Sequence, residues 1–232
     1  MGRREQLLGL YDLFPFHRHP LWRAVTQKEL PIKAVLRAEI QHYLRTKAGQ
    51  QLRKEAVEEA AGVSAGAFDA LVETYLEECT TSESGPDHLS LIERLLLQGG
   101  VTKGQLNAAR NTPGNTAAIA IYRDIAQRGV RFHTLGAGAV EYFYSELCPK
   151  VYSAYVEHYG MTPAQAETYS LHSSMDKMHA ERAFGVLDEA IAMHGWRPVE
   201  GAVRDAFTAT SLHYDGMLQA ATGKNSYWDG TT

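Results

Sequence analysis

The chain has 232 residues, is 44% hydrophobic and carries a formal net charge of -4 with a pI near 6.2, so it can bury a sizeable core, and nucleic acid or an anionic membrane is excluded as its main partner. Its two cysteines, Cys79 and Cys148, form no CxxC and no disulfide framework, which fits a reduced, cytoplasmic setting. The basic-then-apolar start MGRREQLLGLYDLFPFHRHP is broken by charges and a proline well short of a signal sequence, and no run approaches the roughly 18 apolar residues of a membrane span.

Nearly every segment carries a helical pattern and none reads as a strand. Residues 4–14 form a first helical segment and 19–30 a short second one. Pro31 suits a helix start and opens a long amphipathic stretch to Gly62, with Gly49 as a point of interruption. Ser64 is placed to cap residues 65–79, and TTSESGPD (80–87) is a loop whose Asp87 caps 88–98. Thr102 starts a short helix, Thr112-Pro113-Gly114 is a break, and residues 115–127 are helical again. Residues 132–159 form one long segment that Pro149 kinks or divides. Thr162 and Pro163 start a helix that can run to Met193, and Arg197-Pro198 opens a last one to about Ala221. Residues 224–232 are expected to be a disordered tail. There is no internal repeat and no low-complexity linker. The expected architecture is all-α, one helical bundle over residues 1–223 with about seven to nine helices.

The chemistry concentrates in LHSSMDKMHAERAF (171–184). His172, Asp176 and His179 are spaced four and three residues apart, which on a helix puts two imidazoles and a carboxylate on one stripe. That donor set suits iron or zinc. Partners are sought among acidic residues awkward on their own helices. Glu141 in LGAGAVEYFYSEL sits among small and apolar residues, with Ala137 and Gly138 on its face leaving room for a ligand or dioxygen; Glu146 is the competing carboxylate. VETYLEEC offers Glu73, Glu77 and Glu78, two of which are then surface charges. Glu78 lies just before the polar loop and His88 just beyond it, so the loop can bring both to one metal.

Glu, a glycine-containing loop, His, then Glu on a glycine- and alanine-rich helix, then His-x3-Asp-x2-His resembles the haem-oxygenase-like diiron oxidases and oxygenases, iron-containing enzymes on a TenA-like helical fold. HPLWRAVTQKELPIKAVLRAEIQHYL resembles their opening helices, YLEECTTSESGPDHLSLIERL their first ligand pair, and LGAGAVEYFYSELCPKVYSAYVEHYG their central ligand helix. Carried over position by position, the resemblance makes Glu78, His88, Glu141, His172, Asp176 and His179 the metal ligands. It prefers Glu141 to Glu146 through its distance from Gly160, although Pro149 falls farther from the glutamate than usual. It implies two Fe(II) ions as cofactor, O2 as co-substrate, and oxidation of a small amino-acid-like substrate by C–C cleavage, decarboxylation, N-oxygenation or nitrile formation. The expected partners are a small-molecule substrate and, as an open option, a second copy in a homodimer.

Four other readings stand beside this one. A fatty acid is the alternative substrate at the same iron site. A haem protein would use His17 or His19, and a metal-free thiaminase-like hydrolase would use Cys148 or Cys79 as nucleophile. A helical binding module would use none of these groups.

Overall fold

Two helices of about thirty residues set the frame of the molecule. In the computed structural model, which describes residues 2–81 and 85–231, these are α3 (Ile32–Val63) and α8 (Val130–Tyr159). Before α3 come α1 (Arg3–Gly9), two short 3-10 turns and α2 (Pro20–Thr26). Between α3 and α8 lie α4 (Ala65–Cys79), α5 (His88–Gln98), α6 (Lys103–Ala108) and α7 (Pro113–Gln127), and after α8 come α9 (Glu167–Phe184), α10 (Leu187–His194) and α11 (Trp196–Thr222). The described elements are therefore eleven α-helices, more than the pattern of the sequence implied, in an all-α bundle. Among the described residues no helix is long and apolar enough to cross a membrane.

Local chemistry sets most helix starts. The Ser64 hydroxyl accepts from the Ala67 N–H and the Asp87 carboxylate from the Ser90 N–H. Thr102 and Gln105 form a reciprocal capping box, and Pro113 sits in the first turn of α7. Two breaks expected from the sequence do not occur, and one unexpected break does. Gly49 leaves α3 continuous. Pro149 removes one N–H from α8, but its ring is on the exposed side while Leu147, Cys148 and Val151 stay packed in the core, and the helix runs through. The stretch from Thr162 to Met193 is divided. Thr162 caps only a turn, α9 begins at Glu167, and Gly185 ends it so that Val186, Leu187 and Ala190 turn into the core. Of the loop 80–87, residues 82–84 lie outside the described residues.

α9 lies along α8, and α11 packs against α3, α7 and α8. Phe16, Leu21, Ile92, Leu95, Leu135, Tyr155, Phe207 and Met217 fill the space between them. α7 and α11 approach each other backbone to backbone. A Cβ on Gly114 would lie 2.6 Å from the Gly216 nitrogen and 2.7 Å from the Leu212 carbonyl oxygen, so the two backbones touch. The Thr112 hydroxyl donates to the Gly216 carbonyl at 2.9 Å across the same crossing. At the chain's end, the Trp228 N–H donates to the Asp215 carboxylate at 2.8 Å.

Because backbone cannot yield as a side-chain tip can, Gly216→Val should destabilise the protein by about 1–3 kcal/mol and lower its melting temperature by roughly 3–10 °C. Gly201→Ala on the same helix, where an added methyl meets nothing, should leave it unchanged or slightly raised. Thermal unfolding followed by circular dichroism reads both.

Candidate metal centre

Glu78 at the end of α4, Glu141 in the middle of α8 and Asp176 on α9 are all buried carboxylates. The interior must supply positive charge or donors for them. His88, at the start of α5, donates from Nδ1 to Glu78 at 2.8 Å, and His172 Nδ1 lies 3.0 Å from Asp176 and 3.6 Å from Glu78. Donor atoms of Glu78, His88 and His172 all fall within 4.8 Å of one another, and the His88 and His172 rings are 4.1 Å apart. His179 Nδ1 lies 3.6 Å from Glu141 and 4.0 Å from Glu78. The structure thus brings together Glu78, His88, Glu141, His172, Asp176 and His179 from α4, α5, α8 and α9. Glu146 faces solvent and Glu73 is exposed.

Two groups that the sequence did not mark complete the cluster. Arg53, from α3, reaches between the carboxylates, with Nη1 at 3.2 Å from Glu78 and Nη2 at 2.5 Å from Glu141. Glu77 is not an ordinary surface charge. It accepts from His179 Nε2 at 2.8 Å and is itself held by Arg182 at 2.7 Å. An ionised carboxylate only accepts, so His179 carries its proton on Nε2 and turns the lone pair of Nδ1 inward. The signal for Glu77 was its spacing: it precedes Glu78 by one residue and so points to a neighbouring sector of α4, toward α9. Ala183 of α9 packs against Gly138, so this glycine lets two ligand helices approach, and a small pocket of about 20 Å³ remains beside Glu141 and His179, lined by Ala137 and Gly138. Ala137 also lines the larger cavity.

The protonation pattern follows from crowding. Burial opposes a charge on His172, but Glu78 and Asp176 outweigh it and raise it to about 9. Burial, reinforced by charged His172, pushes His88 down to about 3. Burial would raise Glu78, yet His172 and His88 hold it well below the usual carboxylate range, while burial lifts Asp176 to about 6. Three carboxylates therefore share the charges of Arg53 and His172, a deficit that a metal cation would meet.

Residues 51–207 match the model of a family described as iron-containing redox enzymes. The chain belongs to that family. No curated protein matches it at a significant level. Among solved structures, this iron-containing redox enzyme family member resembles a CADD-like protein of unknown function from Nostoc punctiforme (16% identity, 97% of each chain, TM-score 0.73). It also resembles a domain of unknown function with a heme oxygenase-like fold from Shewanella denitrificans (16% identity, 94% of this chain and 89% of that one, TM-score 0.71). A TenA homolog from Pseudomonas syringae pv. tomato is similar at 12% identity over 94% and 93%, TM-score 0.72. The fold is the haem-oxygenase-like bundle.

The residues present fit iron. His88 Nε2, Asp176 Oδ2 and His179 Nδ1 are buried with no hydrogen-bond partner, and three imidazoles with three carboxylates are a donor set for that metal. The competing sites are less suited to their chemistry. His19 is fully engaged by Asp215 (3.1 Å) and by the Leu21 N–H, His17 is bonded to Tyr11, and neither lines the cavity. Burial pushes the Cys79 thiol up to about 11 and Cys148 well above its ordinary value, so neither is a ready thiolate.

Glu77→Gln, which keeps shape but weakens the hold on His179, should lower metal affinity roughly 10–100-fold. Glu73→Gln, whose carboxylate touches only Arg182 from the solvent side, should have little effect. Fe(II) titration against a competing chelator separates the two.

Proposed function

We propose that this chain is an O2-dependent non-haem diiron oxidase or oxygenase acting on a small organic acid held in the cavity beside the cluster. The substrate expected first is amino-acid-like, with a fatty acid as the alternative. The observation that carries the reading is the set of unpartnered buried donor atoms on His88, Asp176 and His179, gathered around Glu78 and Glu141. Family membership supports iron as the metal.

Glu78, His88, Glu141, His172, Asp176 and His179 would hold the two ions. Bound iron would supply the electrons that reduce O2 and the oxidising power that attacks an unactivated C–H or C–N centre. The chain's own residues do the rest. Glu77 and Arg182 fix His179. Arg53 orients Glu78 and Glu141 through its two ion pairs. The cavity, about 140 Å³, is walled by Trp22, Ile119, Val140, Leu147 and Met217, which keep bulk water from the reacting atoms. Behind His88 lies His42, with ring centres 5.4 Å apart; His42 Nδ1 is 3.0 Å from Glu39, which also accepts from the hydroxyls of Tyr155 (2.5 Å) and Tyr169 (2.7 Å). That network braces the His42 ring behind His88.

Anaerobic Fe(II) titration of the wild type should saturate near two ions per chain, with iron-dependent O2 uptake and no Soret band. His172→Ala and Asp176→Ala should each lose most bound iron while remaining folded. Glu141→Ala should abolish O2-dependent turnover, and Glu146→Ala should be mild. One ion per chain, a haem spectrum, or full iron loading in both α9 variants would overturn the assignment.

A further inference from the structure

α3 presents a second arginine to the cavity. Arg45, Gly49 and Arg53 follow one another at four-residue steps and so lie on one stripe of the helix, and all three line the cavity. Their surroundings differ. Arg53 is neutralised by Glu78 and Glu141. Arg45, among the described residues, meets no carboxylate. It lies over the Tyr122 ring at 5.2 Å and near the Tyr144 ring at 5.9 Å, and its guanidinium hydrogen-bonds the Tyr122 hydroxyl. The Tyr122 hydroxyl is already bonded to Thr210 at 2.5 Å, so its ring is pinned in place. The Tyr144 hydroxyl is buried beside Tyr214 without a well-formed hydrogen bond.

Aromatic faces stabilise a guanidinium, and the Tyr122 hydroxyl takes one hydrogen bond from it, but among the described residues no carboxylate meets its remaining N–H donors. A cation on the cavity wall with donors to spare, beside the Tyr144 hydroxyl, is a site made for an anion. The cavity also carries apolar wall, from Ile119, Val140, Leu147 and Met217, which suits a carboxylate on a hydrocarbon body. The acidic side chains that line the cavity are Glu78, Glu141 and Asp176, all in the metal cluster. An α-ammonium group beside the bound carboxylate would therefore face Arg45 with no counter-charge of its own.

We propose that Arg45, with the Tyr144 hydroxyl, binds the carboxylate of an ammonium-free monocarboxylic acid, whose hydrocarbon chain runs over Gly49 toward the metal cluster; this favours a fatty-acid-like substrate over the amino-acid-like one that the resemblance puts first. Arg45 is then the residue that selects the substrate class and sets which carbon is presented, holding the acid group away from the metal. Eight residues of helix place Arg45 and Arg53 roughly 12 Å apart along α3. A Cβ at Gly49 would meet nothing within 4 Å, so the floor between them is open and a larger side chain there would fill it. The direction of the chain rests on the diiron reading; the anion site does not.

The test is calorimetric titration of the full-length protein, with and without Fe(II), using hexanoate, hexanamide, norleucine and hexyl phosphate. Hexanoate should bind both forms. Hexanamide, norleucine and hexyl phosphate should each bind roughly tenfold or more weakly. Arg45→Met should weaken hexanoate by roughly tenfold or more, with partial recovery in Arg45→Lys. Gly49→Leu, which disturbs no packed contact, should block hexanoate while the melting temperature holds or rises, and this keeps the idea testable if Arg45→Met does not fold. Equal binding of hexanoate and hexanamide, or hexanoate binding unaffected by Arg45→Met or by Gly49→Leu, would sink the anion site. Equal or tighter binding of norleucine would reassign it to a zwitterion, and tighter hexyl phosphate to a phosphate; either result overturns the proposal. Hexanoate binding that persists in a protein unable to take up two irons would count against the metal reading alone.

Discussion

Three carboxylates in a protein interior cannot be left to water, and the arrangement of this bundle follows from that constraint. Glu78, Glu141 and Asp176 come from three different helices and meet at one place, where Arg53 and a protonated His172 offset only part of their charge. α3 brings the permanent cation, α5 and α9 the imidazoles. Outside the ring of donors, Glu77 and Arg182 tie α4 to α9, so the same ion pairs that orient a ligand also join the helices that carry the site.

A second buried carboxylate shows what a purely satisfied one looks like. Glu39 is as deeply buried as Asp176, but two tyrosine hydroxyls and a histidine ring surround it. Asp176 keeps one oxygen without a partner, as do His88 and His179 one nitrogen each. Burial alone therefore does not distinguish a site from a structural network; leftover hydrogen-bonding capacity does. On α3, Arg53 is met by two carboxylates, whereas Arg45, among the described residues, is met by aromatic rings and no carboxylate.

The sequence carried the all-α class and the stripe of His172, Asp176 and His179, because helical period is a rigid property of the backbone. It also pointed to Glu141, because an acid preceded by small and apolar residues and followed by Tyr142, Phe143 and Tyr144 has nowhere exposed to go. It paired Glu78 with His88 across the loop between them, but it did not show that Glu77 supports a ligand, since that depends on the rotation of α4 against α9. Arg45 and Arg53 were hidden for a similar reason. α3 changes partners along its length, from α11 and α7 to α5 and α4, so its polar residues do not fall on one solvent face. The division between α9 and α10 was missed because the pattern from Thr162 to Met193 is unbroken, and only packing shows that residues after Gly185 must turn inward.

The glycine-to-glycine crossing of α7 and α11 has a consequence for how such chains diverge. Two backbones in contact tolerate a side chain at neither position, so residues 114 and 216 cannot drift separately. A change at one forces the helices apart and removes the reason for smallness at the other. Relatives that share as little as 12–16% of their residues with this chain, yet superimpose on it along most of their length, are therefore better compared by paired side-chain volumes at such crossings than by identities in single columns.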